Sequence, residues 1–427
     1  MPPPAEWRDS DIVMVGKGRW AQIAYPRPGP QPHRPYDLAH LKNNTIITVL
    51  IAALREERCP ETVLSAFRAA AHPKRVRLGL VQQNAPGDTD CIAEACRRLG
   101  VPLQDLGMGR FANPSHCALF GRARVLRMNA SEAAGPVYAR AQQRQLVRDE
   151  DDFCLQIDAH TEFGRHWDMR MLAEWGAAAN EYAILTAYPP NAMQLGKNVN
   201  GHWEMPHFCR ARVVSPGIVR NEQASAAAGL TRPLMTALWG AGLSFSRCHA
   251  ERRVPADPHL RHVFDGEEYS RGARLWTSGY DFYSPTRPII GTYYGTDKGG
   301  KGGWRSVHAE WRASQARLNT LLLGRGSSQS PSARASLGEY ALGTRRALSS
   351  GARQPCYEFP EPLGTAIGAR SSSMRPFRAS TCRPASLGAA ASSTTSRGMT
   401  PTSPRRHRGR GRGAGLHAGR GGPRRER

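Results

Sequence analysis

The run TIITVLIAAL, residues 45–54, restricts the fold more than any other part of the chain. Ten residues without a charge, rich in β-branched side chains and apolar on both faces, suit a strand covered on both sides, as in the middle of a parallel sheet. The flanking pattern agrees. ETVLSAFRAAAHP places Val63, Leu64, Phe67 and Ala70 at helical spacing and stops at Pro73, and VRLGLVQQN from Val76 reads as a second buried strand. A helical DTDCIAEACRRLG, a strand around Val125, a helical GPVYARAQQRQLV and the apolar FCLQIDAH follow in order. Strand and helix alternating over this length predict an α/β fold with mainly parallel strands, whose ligand crevice lies outside their carboxyl ends. Further strand-like pieces, YAILTAYP, RARVVSPGIVRN and LWGAGLSFSR, continue the pattern.

Both ends differ from this body. Residues 1–43 hold the proline cluster YPRPGPQPHRPY and no sustained period, which predicts an extended leader. Residues 305–427 turn to Ala, Ser, Gly, Pro and Arg and end in RRHRGRGRGAGLHAGRGGPRRER, which predicts a disordered tail. A stretch of that length without Lys or Asp also resembles a translated GC-rich intron or shifted frame. The ordered domain is then expected over residues 44–304. Charge divides the same way. The tail carries 22 Arg against 5 Glu, a net of +17, so only +7 of the total +24 belongs to the first 304 residues. The high basicity therefore says little about the body, although the Arg/Gly tail alone could hold RNA by charge and stacking.

Nine cysteines, an odd number with no C-x-x-C pair, argue against a zinc ribbon or a dense disulfide framework and fit a reducing compartment. No apolar run reaches signal-peptide or membrane-spanning length. The expectation is a cytoplasmic protein without a membrane partner. P-loop, dinucleotide-binding and serine-hydrolase signatures are missing after the predicted strands.

One triplet carries metal chemistry. Asp158-Ala159-His160 ends the apolar run FCLQI, and side chains at i and i+2 past a strand end can offer a carboxylate oxygen and an imidazole nitrogen to one divalent ion. Such an ion would neutralise a diphosphate leaving group. A strand-end Asp beside a surface His is the plainer reading of the triplet alone.

The surrounding segment, AAGPVYARAQQRQLVRDEDDFCLQIDAHTEFGRHWDMRML, resembles the glycosyltransferases that attach N-acetylglucosamine (GlcNAc) to polypeptides, including cytosolic members acting on hydroxyproline. The shared features are Gly135-Pro136, Ala139-Arg140, Leu155 to His160, Phe163 and Trp167-Asp168, with ALREERC upstream in place of the family's Tyr-Arg-Asp-x-x-Cys. LTAYPP and the long stretch from LWGAGLSFSR to GYDFYSP extend the likeness to about 250 residues. The resemblance implies a GT-A-like sheet, UDP-GlcNAc as donor, a divalent metal (Mn or Mg), a protein hydroxyl on hydroxyproline, Ser or Thr as acceptor, and retention of anomeric configuration. Asp158 and His160 would be metal ligands. Asp158, Arg55 and Arg140 would bind the donor, each arginine having as its alternative a surface charge or a structural ion pair. Glu267 and Glu268 are candidates for catalytic carboxylates, or else a favourable acidic first turn of a helix. Where relatives carry a histidine as a third ligand, this chain reads PIIGTYYGTDKGG; His202, His207 and His308 are substitutes the sequence does not choose among. That departure keeps open an inactive relative that binds a nucleotide sugar or a protein partner.

Overall fold

The computed structural model describes residues 12–16, 19–22, 44–107, 110–198, 201–208, 211–214, 218–222, 225–294, 307–322 and 330–348. Two short strands, β1 (Ile12–Gly16) and β2 (Arg19–Gln22), precede the predicted central strand, β3 (Ile47–Leu54), which is buried along most of its length. Then come α1 (Cys59–Arg68), β4 (Val76–Asn84), α2 (Cys91–Arg98), β5 (Ala123–Asn129), α3 (Pro136–Gln142) and β6 (Phe153–Asp158). β7 (Thr161–Phe163), α4 (Trp167–Ala177) and β8 (Ala183–Thr186) lead to a strand-rich stretch: β9 (Glu204–His207), β10 (Ala211–Val214), β11 (Ile218–Asn221), β12 (Ser225–Ala228), β13 (Leu234–Thr236) and β14 (Leu243–Arg247). The rest is α5 (His249–Arg253), α6 (Glu267–Thr277), β15 (Asp281–Ser284), β16 (Ile290–Thr292), α7 (His308–Leu322) and α8 (Pro331–Leu337).

Eight strands form the main sheet in the order β13-β15-β8-β14-β6-β3-β4-β5. The four at one side, β6, β3, β4 and β5, are parallel, as the βαβ pattern requires. β14 enters antiparallel between β6 and β8, so the sheet is mixed; β15 is parallel to β8 and β13 antiparallel to β15. This is an α/β fold, with the carboxyl ends of β3, β4 and β6 on one edge. The core at its centre is aromatic: Phe153 stacks on Phe245 at 5.2 Å and meets Trp175 edge-on at 4.9 Å.

Local chemistry sets the helix ends. Asp90 caps α2, its Oδ1 accepting from the amides of Ile92 and Ala93. Trp167 and Asp168 tie α4 to the end of α1: Trp167 Nε1 donates to Ala66 O at 2.7 Å, and the Asp168 carboxylate accepts from the amides of Ala71 and His72 and pairs with Arg75. Their place in the family pattern is thus explained by packing.

Three expectations fail. The leader is more than an extended proline-rich segment, since β1 and β2, which contain no proline, form a hairpin that joins β12 and β9 in a second sheet. Order does not end at residue 304 either. α7 buries Leu318 and Leu321, and Arg346, itself buried, pairs with Asp281 at 2.7 Å, donates to the carbonyls of Gly279 and Tyr280 and lies 4.5 Å over the Trp276 ring. An Arg-rich composition conceals one arginine that is part of the core. The tail beyond residue 348, with its RGRGRG run, lies outside the described residues.

The third failure concerns the cysteines. The six cysteines among the described residues pair, as Cys59–Cys91, Cys96–Cys117 and Cys154–Cys248. The partners are 32, 21 and 94 residues apart, so sequence spacing gave no sign of them. Paired thiols speak against the reducing compartment expected above. Among the described residues, no helix is long and apolar enough to cross a membrane.

Removing Arg346 leaves Asp281, fully buried, without its counter-charge. Arg346→Ala is expected to lower the unfolding free energy by about 3 kcal/mol or more, read as a shift of the chemical denaturation midpoint of the full chain. An unchanged midpoint would show that residues 330–348 do not belong to the cooperative fold.

Candidate functional site

The carboxyl end of β6 builds the site. Buried Phe153–Ile157 side chains hold the strand, and the turn Asp158-Ala159-His160 is fixed by three hydrogen bonds. Thr161 Oγ1 donates to Asp158 O at 2.7 Å, Thr62 Oγ1 on α1 donates to Ala159 O at 2.9 Å, and the Thr161 amide donates to Thr62 Oγ1 at 2.9 Å. Both side chains of the triplet stay partly open, Asp158 at 32% and His160 at 26% exposure.

Three elements converge on one cation. Arg140, on α3, donates to Asp158 Oδ1 at 2.8 Å through one amino arm and to Glu267 Oε1, in the first turn of α6, through the other. Burial alone would disfavour the charged guanidinium, but the carboxylates of Glu267 and Asp158 outweigh it and raise the Arg140 pKa. Arg140 Nε has no hydrogen-bond partner among the described residues. Asp158 Oδ2 also takes no hydrogen bond there and faces Gly242, where a Cβ would come within 3.2 Å of it. Glycine at that position lets the segment before β14 approach the carboxylate.

Glu268 sits beside this group without touching Arg140. Its Oε1 accepts from the Ala241 amide at 2.9 Å and its Oε2 from the Tyr188 hydroxyl. Burial pushes its carboxyl up to about 7, against those two hydrogen bonds, and the neighbouring Glu267 charge adds to the rise. Tyr294 closes the same side: its hydroxyl donates to Pro189 O at 2.8 Å, and burial, with the nearby charges of Asp158 and Glu268, pushes it up to about 12.

His160 and Arg55 are each engaged by a carboxylate that the sequence had not singled out. His160 Nδ1 lies 3.0 Å from Glu56 Oε2. Burial opposes ionisation of Glu56, but His160 and the Arg58 amide prevail and hold its carboxyl below the usual range. Arg55 takes a left-handed backbone, φ +50°, just past β3, and its guanidinium grips Asp88 bidentately at 2.7 and 3.0 Å. The structure thus brings Arg140, Asp158 and Glu267 together, sets Glu268 next to them, and gives Arg55 and His160 separate partners. Glu56, Asp88, Tyr188 and Tyr294 were missed as site residues. Tyr188 lay in plain view inside LTAYPP, whereas Asp88 follows a turn, NAPGD, that carried no motif.

The segment lacking the expected histidine runs alongside the triplet. β16 pairs with β7, Thr292 opposite Thr161, and the Tyr293 amide donates to His160 O at 3.1 Å. Of the substitutes, His207 is buried beside Ser284, where burial pushes its pKa down to about 4, and His308 stacks on Trp311 of α7. Neither contact involves Asp158 or His160. His202 is buried. Among the described residues, no group of three His, Cys, Asp or Glu side chains could hold a metal ion. Asp158 and His160 fit an ion only as a two-ligand set whose other positions come from phosphate oxygens and water, a habit of Mg²⁺-type sites.

The Glu268 carboxyl gives stability a pH signature. Between its ordinary 4.5 and about 7, the folded state keeps a proton that the unfolded state has lost. Stability should therefore fall as pH rises through that window. Unfolding free energy measured across it is expected to slope downward for the wild type and to flatten in Glu268→Gln; equal slopes would mean that Glu268 is ionised throughout.

A family model described as "Glycosyltransferase (GlcNAc)" matches residues 46–350. No curated protein matches the chain. Among solved structures, GalNAc-T7 with UDP, GalNAc and Mn²⁺ aligns at 12% identity and a TM-score of 0.43, over 66% of this chain and 49% of that one. The mannosyltransferase PcManGT from Pyrobaculum calidifontis, in complex with GDP-Man and Mn²⁺, aligns at 12% identity and 0.37, over 70% and 66%. S. aureus TarS 1–349 in complex with UDP-GlcNAc aligns at 11% identity and 0.39, over 69% and 71%. The chain thus spans about half the length of the first of these structures. Because the family match takes in more than half of the sequence and all of the residues that meet around Asp158, this chain belongs to the GlcNAc glycosyltransferase family.

Proposed function

We propose that the chain transfers GlcNAc from UDP-GlcNAc to a protein hydroxyl, on hydroxyproline, Ser or Thr, with a divalent ion (Mn or Mg) and retention of anomeric configuration. The observation that carries this reading is the meeting of Arg140, Asp158 and Glu267 at the carboxyl end of β6, where an open α/β sheet presents its ligand crevice. An ion held by Asp158 and His160 would neutralise the charge that develops on a leaving diphosphate.

The chain's own residues supply the rest. Arg140 orients Asp158, and Glu267 acts through Arg140 by anchoring its second arm. When the donor's diphosphate enters, Arg140 is a buried, permanently charged guanidinium at the edge of the crevice, suited to a phosphate oxygen. Arg55, fixed by Asp88 at the end of β3, would face the uridine side. Glu268, whose carboxyl burial raises to about 7, is suited to exchange a proton with the acceptor hydroxyl, as a general acid–base group must. One observation favours a second reading, a nucleotide-sugar binder without turnover: the strand beside the triplet supplies Tyr293 rather than a third ligand.

UDP release from UDP-GlcNAc by the full chain, with and without Mn²⁺, separates the two. Metal-dependent release is expected, reduced on the order of 100-fold or more in Asp158→Ala and His160→Ala. Folded wild-type protein that binds UDP-GlcNAc and releases no UDP would overturn the transfer reading in favour of the binder.

A further inference from the structure

Three disulfides in one fold mean that six thiols have each given up a proton and an electron, by exchange with the disulfide of an oxidoreductase. Such pairing persists in oxidising compartments of the secretory route, and those compartments also modify Asn-x-Ser/Thr triplets. The chain has three such triplets. Asn113 is followed by Pro114, which blocks the reaction, and Asn43 lies outside the described residues. Asn129-Ala130-Ser131 remains.

We infer that Asn129 is an acceptor for an N-linked glycan. Asn129 is the last residue of β5, exposed where the rest of that strand is half-buried, and its backbone is extended, φ −72° and ψ 140°. Its Oδ1 accepts from both the Ser131 amide and the Ser131 hydroxyl at 2.9 Å, so the triplet is already folded with the hydroxyl against the side-chain amide. Nδ2, the atom to be modified, has no hydrogen-bond partner among the described residues. The new bond joins Nδ2 to C1 of an oligosaccharide; the bond broken is from C1 to a lipid pyrophosphate, which leaves as the anion while the amide proton passes to a base.

The position also suits the fold. β5 is an edge strand of the eight-stranded sheet, with one side unpaired, and edges are commonly shielded by bulk or charge. A glycan at its end would stand over that edge. Asn129 is three strands from β6, about 14 Å at the usual strand spacing, and is not among the residues that meet around Asp158.

The test is peptide mapping of the full chain isolated from its own cells, without reduction and with free thiols alkylated first. The expected result is three cross-linked peptide pairs, 59–91, 96–117 and 154–248, and a glycan on the peptide containing Asn129. Digestion with an N-glycanase should convert Asn129 to Asp; Asn129→Gln and Ser131→Ala should lose the glycan, Ser131→Thr should keep it, and all three should release UDP from UDP-GlcNAc as the wild type does. Alkylation of the six cysteines, disulfide-bonded protein with Asn129 unmodified, or a glycan that persists on that same peptide in Asn129→Gln would each overturn the inference.

Discussion

Arg140 carries a full charge where little water can reach it, and the candidate site depends on how that charge is met. A guanidinium with this degree of burial needs compensation from more than one side. It receives it from Asp158 at the end of a strand and from Glu267 at the start of a helix that comes 109 residues later in the chain. Two carboxylates that would otherwise repel are thereby held in one cluster. The helix α6 brings Glu268 with it, and the segment before β14 follows because Ala241 donates its amide to that second carboxylate. One ion triad therefore registers a βα unit from the parallel half of the sheet against elements of the mixed half.

What could be read in the sequence was whatever rests on local periodicity. The strand β3, the alternation through α1, β4, α2 and β5, and the acidic start of α6 each follow from neighbours within a few positions. So did Asp158-Ala159-His160 as a strand-end triplet. The pairs that decide what those residues face are distant: Arg140 with Glu267, His160 with Glu56, Arg55 with Asp88. No period or motif encodes contacts across 127 or 104 positions. The antiparallel insertion of β14 is equally silent, since LSFSR reads the same in either direction of pairing.

Composition misled wherever a few residues departed from their surroundings. Residues 305–348 look like the start of an Arg-rich tail, yet Arg317 pairs with Asp257 and Arg346 with Asp281, so two of those arginines close the domain rather than solvate it. The family match runs to residue 350, just past that last ion pair. Cysteine spacing misled in the same way, because bridges that join two helix starts, a helix to a loop and a strand to a helix cap leave no regular interval.

The Cys59–Cys91 bridge has a further consequence for the crevice. Cys59 comes four residues after Arg55 and Cys91 three after Asp88, so a covalent link stands behind the two loops whose side chains form that bidentate pair. The loops at the ends of β3 and β4 cannot drift apart while it holds. Much of the ordering that a ligand would otherwise impose on this rim is completed during folding, and preorganisation of that kind lets contact energy appear as affinity instead of being consumed in immobilising the chain.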